Sequence, residues 1–274
     1  PSANRTSPGQ ASVATSDHNL TFIVPGDPAQ RTGGYGYVRA LAGALETLGW
    51  CIRIKGLPGR FPIADDEARN AMDQCLRALP DKGPVVIDGL ALGGLPETVE
   101  PHAQRLRMIA LLHHPLALET GLPEDTREHL FETERRALAS MDTIVTTSRS
   151  TARELAAYGI QAENVTVIPP GVAMTRLPQP RECRAPGAPL ELLCIAHLAP
   201  RKGQDILIEA LAPLAGRDWH LTLAGSTTRH PEFATRLRER MTDYGLTDQV
   251  TLAGELDGDT LASLWERAHG FILP

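Results

Sequence analysis

From Asn19 onward the chain alternates short apolar runs with longer stretches whose apolar residues recur every three to four positions. The short runs read as buried parallel strands, at 20–24, 50–55, 84–88, 107–112, 142–147 and 164–168. The longer stretches read as amphipathic helices near 34–48, 65–79, 125–139 and 149–158. The first helix is well marked: Val38, Leu41, Ala42, Leu45 and Leu48 form one stripe, and Gly49 supplies a stop. Strands joined through helices run parallel, with right-handed crossovers.

The same alternation resumes further on. Residues 173–189 contain four prolines and few apolar pairs, and read as an interdomain linker. Strands follow near 190–196, 219–224, 249–253 and 269–273, with helices near 203–214, 231–244 and 258–267. On the first of these helices Ile206, Leu207, Ala210, Leu211 and Leu214 are expected to share a face. Residues 1–18, rich in Ser, Thr, Pro, Ala and Gly, read as a disordered tail. The expectation is an α/β protein of two doubly wound, Rossmann-like parallel-sheet domains, 19–172 and 190–274, facing a cleft.

Composition narrows the class. The 274 residues are 42% hydrophobic and 22% charged, which fits a water-soluble globular protein. A net charge of −6 disfavours nucleic acid as a partner, and the pairs Arg135-Arg136 and Arg105 with Arg107 read as solvated element ends. Aromatic residues are only 4%, few for a carbohydrate module built on stacking platforms. Cys51, Cys75, Cys183 and Cys194 make no C-x-x-C pair, so neither a disulfide framework nor a zinc site is expected. A reducing, cytoplasmic location is the default. With no apolar run of about 18 residues and no signal-peptide pattern, a transmembrane segment is not expected.

The richest chemistry lies in Ile195-Ala196-His197-Leu198-Ala199-Pro200-Arg201-Lys202-Gly203-Gln204-Asp205. An apolar strand ends, two cations and a glycine follow, and a helix begins. In an open α/β sheet that edge is where ligands bind. Cations at the positive end of a helix are unfavourable alone, and an anion resolves the conflict. Gly33-Gly34 precede the first long helix, where missing Cβ atoms let backbone amides approach an anion. His113 and His114 follow the run Met108 to Leu112, and Pro115 holds His114 extended. Gly225-Ser226 and Gly254-Glu255-Leu256 sit at two more strand ends, and Ser148-Arg149-Ser150 reads first as a helix N-cap.

Taken in order, these segments resemble the retaining glycosyltransferases of the GT-B fold, specifically family 4. Gly33-Gly34-Tyr35-Gly36 is similar to the family's amino-terminal glycine loop, and Pro200-Arg201-Lys202-Gly203 to its donor-phosphate motif. Val167-Ile168-Pro169-Pro170-Gly171-Val172 resembles its hinge, and Val250 to Leu256 and Phe271-Ile272-Leu273-Pro274 also fit in order and spacing. The resemblance implies transfer of a sugar from a nucleotide diphosphate donor, with retention, to an acceptor that is a glycan, a lipid or a small molecule. Peripheral membrane contact is compatible with it. Arg201 and Lys202 would stabilise the leaving diphosphate, and Gly33 and Gly34 would contact it. A histidine at the end of the 107–112 strand would lie near the donor sugar. His113 is the favoured candidate because it directly follows the apolar run, with His114 kept as the other. Gly225, Ser226, Glu255 and Leu256 would line the nucleoside, and Arg149 would contact phosphate or acceptor. Tyr35 and Tyr37 are expected to pack or to serve the acceptor.

No carboxylate pair stands out as an acid and base, which accords with the leaving phosphate taking the acceptor's proton. With no Asp-x-Asp motif, neither a divalent metal nor a cofactor beyond the donor substrate is expected. The family continues past the final Leu-Pro with a segment carrying two glutamates, so the second domain is expected to be incomplete at Pro274. Two other readings remain open. One is a non-catalytic nucleotide-sugar-binding module or degenerate partner subunit; the other is a GT-B epimerase.

Overall fold

The computed structural model describes residues 18–30, 33–171 and 187–274. All but one residue of the expected tail, most of the expected linker, and Cys183 lie outside the described residues. The chain divides into two compact units, Pro1–Ala173 and Met174–Pro274.

Unit 1 runs β1 (Asn19–Pro25), α1 (Gly33–Thr47), β2 (Cys51–Leu57), α2 (Asp66–Arg77), β3 (Pro84–Asp88), α3 (Gly89–Leu92), α4 (Pro96–Val99), β4 (Arg107–Leu112), α5 (Glu124–Ala139), β5 (Thr143–Thr146), α6 (Arg149–Glu154) and β6 (Val165–Val167). Its six strands pair in parallel in the order β2-β1-β3-β4-β5-β6. Strand alternation sorts the core. Leu20, Phe22 and Val24 of β1 share one apolar cluster with Val38 of α1, while Ile23 joins Met72, Leu76, Met108 and Leu138 in another. Each buried Leu, Ile, Phe or Met side chain contributes roughly 1.5–3 kcal/mol of transfer free energy. The sheet order reverses between β1 and β3, so the loops after those strands and β4 flank the switch point of the sheet.

Unit 2 runs β7 (Leu190–Ile195), α7 (Gln204–Leu211), β8 (Trp219–Ala224), α8 (Pro231–Asp243), β9 (Val250–Gly254), α9 (Gly258–Arg267) and β10 (Gly270–Phe271). Its strands are also parallel, in the order β10-β7-β8-β9. Here the reversal falls between β7 and β10, which places the loop after β7 at the switch point.

Two helical stripes differ from expectation. α1 ends at Thr47, so Leu48 leaves the stripe and is 76% exposed. On α7 the core face is Gln204, Leu207, Ile208 and Leu211, an i, i+3, i+4, i+7 set. Ile206 is 64% exposed, and Leu214 falls outside because a short 3₁₀ turn containing Pro213 replaces the helix after Leu211. The strand expected at 269–273 pairs over only Gly270 and Phe271.

Candidate functional site

In unit 1 the chemistry gathers at the strand ends around the switch point. Gly33 and Gly34 do not precede the helix but form its first turn, where backbone N–H groups have no partner within the helix. A Cβ on Gly34 would lie 3.4 Å from Cδ2 and Nε2 of His113, so the helix start passes directly over that imidazole. The Tyr37 ring meets the His113 ring edge-on, centroids 5.5 Å apart at 85°. Tyr37 is fixed in turn by its hydroxyl, which donates to the Ile168 carbonyl at 2.9 Å, and burial raises its pKa. The Tyr35 hydroxyl donates to the Pro25 carbonyl at the end of β1.

His113 has a neighbour that sequence reading missed. Asp88 ends β3, and its Oδ2 lies 3.6 Å from His113 Nε2. That separation is too long for a hydrogen bond, and Nε2 is buried without one among the described residues. Asp88 uses its other oxygen to cap α3, accepting from the Leu90 N–H at 2.9 Å. Burial pushes the Asp88 carboxyl up to about 6 and pulls the His113 imidazole below its ordinary range. Strand pairing thus sets a buried carboxylate beside the imidazole, a neighbour that is not a pair of carboxylates. The available signal was Asp88 closing the apolar run 84–87, in the same way that His113 closes the run before it.

His114 is exposed. The turn that follows it is held by Glu134 of α5, which is 1% exposed and accepts from the Leu116 N–H at 2.9 Å. Burial raises the Glu134 carboxyl to about 7 against the opposing pull of Tyr158 and the Leu116 and Ala117 amides. Arg149 is the exposed first residue of α6, whose N-cap is Ser148, accepting from the Thr151 N–H at 3.1 Å.

Unit 2 gathers its cations at the ends of β7 and β8. Pro200-Arg201-Lys202 form a single 3₁₀ turn, Gly203 reverses the chain at φ 62°, and only then does α7 begin. The cations thus stand one turn ahead of the helix rather than in it. His197, Arg229 and His230, none of them singled out from sequence, join this group. The His197 and His230 rings stack with centroids 6.2 Å apart and planes 19° apart. Arg229 Nη2 lies 3.5 Å from Glu255 Oε1.

Gly225 permits the close packing of these strand ends, since a Cβ there would fall 2.0 Å from the Ala196 carbonyl oxygen. Ser226 is buried, with its hydroxyl 3.1 Å from that of Thr228. Leu256 packs into a small apolar cluster with Leu193, Ala224 and Ala268. Of the expected nucleoside contacts, Glu255 is thus the one whose charged group joins the cations.

Two open parallel-sheet units, each with glycines and charged groups at the strand ends of its switch point, define the α/β class with the GT-B fold. Solved structures carry the same fold. Sucrose-phosphate synthase of Thermosynechococcus elongatus aligns with TM-score 0.71 and 18% identity, covering 94% of this chain and 75% of that one. A glycosyltransferase of Rickettsia africae aligns at TM-score 0.63 and 17% identity, covering 94% and 73%. HepE of Anabaena, in complex with UDP and glucose, aligns at 0.61 and 15%, covering 92% and 73%.

The model of Glycosyltransferase Family 4 matches residues 14–176 and that of Glycosyl transferases group 1 matches residues 178–274, so the chain belongs to the family 4 glycosyltransferases. WcaL of Salmonella typhimurium, named as a proposed colanic acid biosynthesis glycosyltransferase, is 27% identical over 78% of this chain and 52% of its own length. The D-inositol 3-phosphate glycosyltransferase of Nocardia farcinica is 25% identical over 64% of this chain and 41% of its own. The chain spans about half the length of the curated relatives it matches. Among the described residues no helix is long and apolar enough to cross a membrane.

Proposed function

We propose that the chain is the substrate-binding part of a retaining glycosyltransferase that uses a nucleotide diphosphate sugar. The observation that carries the reading is the cation group of unit 2: Arg201 and Lys202 in the turn after β7, and Arg229 against Glu255 in the loops after β8 and β9, at the switch point of a parallel sheet. In the reaction the bond from the anomeric carbon to a diphosphate oxygen breaks, and a bond to the acceptor oxygen forms on the same face. The acceptor's proton passes to the leaving phosphate. Negative charge grows on the departing oxygen, and preorganised cations lower that barrier. Unit 2 supplies those charges. In unit 1 the family resemblance assigns Gly33, Gly34 and His113 to donor binding, and burial holds the His113 imidazole below its ordinary pKa. Solved HepE structures contain UDP-glucose, or UDP and glucose, which supports a nucleotide-sugar donor. The fixed cations do the work of a divalent ion, so the reaction is proposed to be metal-independent.

Calorimetry of the intact protein with UDP, GDP and ADP in chelator tests the reading. Binding of at least one is expected. Absence of binding overturns the donor assignment, and binding only with added divalent ion overturns its metal independence. Turnover then separates an enzyme from a binding module, and the anomeric configuration of the product, read by NMR, tests retention.

A further inference from the structure

His197 stands among cations at the switch point of the second sheet. It lies two residues beyond β7, in the turn that also carries Arg201 and Lys202. Arg229 and His230 reach it from the loop between β8 and α8. Its main chain is pinned on both sides. Gln204, fully buried on α7, donates Nε2 to the His197 carbonyl at 3.1 Å, and the next amide, Leu198 N–H, donates to the Ser226 carbonyl at 3.0 Å. The absence of a Cβ at Gly225 lets β8 close on the same peptide, 2.7 Å from the His197 nitrogen by the position a Cβ would take. The ring is therefore held in place, half-buried and stacked on His230.

The groups around it are of known sign. Arg201, Lys202 and Arg229 are cations, Glu255 from the loop after β9 sits against Arg229, and the Cys194 thiol of β7 is pushed up by burial and stays neutral. Burial first, and then the fields of Arg201, Lys202, Arg229 and His230, hold His197 below its ordinary pKa. A polyanion placed among these cations removes the cause of that repulsion and favours the charged ring.

Resting on the nucleotide-sugar reading above, we propose that His197 is a contact residue for the donor's diphosphate and takes up a proton when the donor binds, with His230 as its stacked partner. Binding is then linked to pH. At full uptake the Kd rises about tenfold per pH unit, because one proton is consumed per site.

The test is calorimetry of the intact protein with UDP-, GDP- and ADP-glucose, whose pyrophosphates exchange no proton near neutral pH. Each titration is run at pH 7.5 in buffers of different ionisation enthalpy. The expected result is a donor that binds with net uptake approaching one proton, and a His197→Gln variant that binds it with none and with a flat pH dependence. NMR of the wild-type histidines is the second measurement, independent of any variant: saturation with the donor must move the His197 midpoint upward. Binding without proton uptake overturns the inference and leaves the donor reading standing. Uptake that survives His197→Gln but is lost in His230→Gln also overturns it. No binding by any of the three overturns both.

Discussion

Asp88 and His113 close two adjacent parallel strands with Oδ2 and Nε2 3.6 Å apart, buried enough that each is pushed toward its neutral form. Asp88 makes the clearest stability statement. Its folded carboxyl, raised from 3.8 to about 6, binds more protons than the unfolded one between those values. Its contribution is fully present below about pH 4 and is lost as pH rises through 6. Asp88→Asn keeps an oxygen for the Leu90 N–H and removes the charge. Relative to the variant, the wild type should lose on the order of 3 kcal/mol between pH 4 and 7.5, since each tenfold change in proton affinity is worth about 1.4 kcal/mol. Urea unfolding of both proteins across that range checks this, and parallel curves would sink it.

Glu134 obeys the same sign with a different consequence. Its carboxyl rises from 4.5 to about 7, so the folded protein loses stability as pH climbs between those values, and the penalty is complete above 7. Glu134→Gln can still accept from the Leu116 N–H and should be the more stable form at pH 8.5 by about 1–3 kcal/mol, with the difference gone at pH 4. Glu134→Ala loses that acceptor and leaves a void behind the turn following His114, so it should be destabilised at both pH values. Thermal melts at pH 4 and 8.5 distinguish the pair. A glutamine variant as damaged as the alanine variant at pH 8.5 would show that the charge itself is needed.

The two histidines separate on exposure. His113 packs under Gly34 and against Tyr37, while His114 is exposed. We expect His113→Ala to lower transferase turnover at least tenfold and His114→Ala to change it less than threefold, a contrast typical of a positioned group against a solvated one. Steady-state kinetics with the preferred donor decides. The reverse order would move the role to His114.

Every strand expected from sequence forms, because parallel strands buried on both faces write themselves as apolar runs such as Met108 to Leu112. Residues that end those runs are equally readable, as His113 is, whereas Arg201 is legible from the cation pair and glycine that follow β7. Asp88 ends such a run too, but its partner lies 25 positions away and only the β3–β4 register brings them together. His197 and His230 are adjacent only because β7 and β8 pair, and no spacing in the chain encodes their stacking. The short α3 and α4 are not legible in the sequence because four residues carry no helical period. The burial of Ser226 and the partial burial of Leu256 likewise follow from packing rather than from their place after a strand.

Gly225 should be intolerant of any side chain. Its φ of 156° is one that L-residues rarely adopt, and a Cβ would meet the Ala196 carbonyl oxygen at 2.0 Å, a backbone atom that cannot rotate away. Gly225→Ala should lose about 3 kcal/mol or more by analogy with overpacked and strained sites, together with nucleoside diphosphate binding. Gly34→Ala, whose Cβ would sit 3.4 Å from a side chain, should leave the melting temperature within a few degrees. Equal melting temperatures for the Gly225 variant and wild type would contradict the close approach of the strand ends.

The cation pair gives the most direct test of the proposed chemistry. Lys202 is half-buried and Arg201 exposed, so the field of Lys202 is the less screened by water. Gly203 fixes the turn that presents both, and α7 is rooted in the core through Leu207, Ile208 and Leu211 rather than through either cation. Truncating a cation should therefore leave unit 2 folded. Lys202→Ala should lower kcat by about 10²-fold, the usual cost of one preorganised charge on a developing anion, and Arg201→Ala should cost less. The loss should fall mainly on kcat, because charge on the bridging oxygen grows as the bond breaks. Kinetics with matched circular dichroism check both parts. If both variants kept near wild-type turnover, the diphosphate would not lie against this turn. If the loss appeared wholly in KM, the two cations would be binding the donor without stabilising its departure.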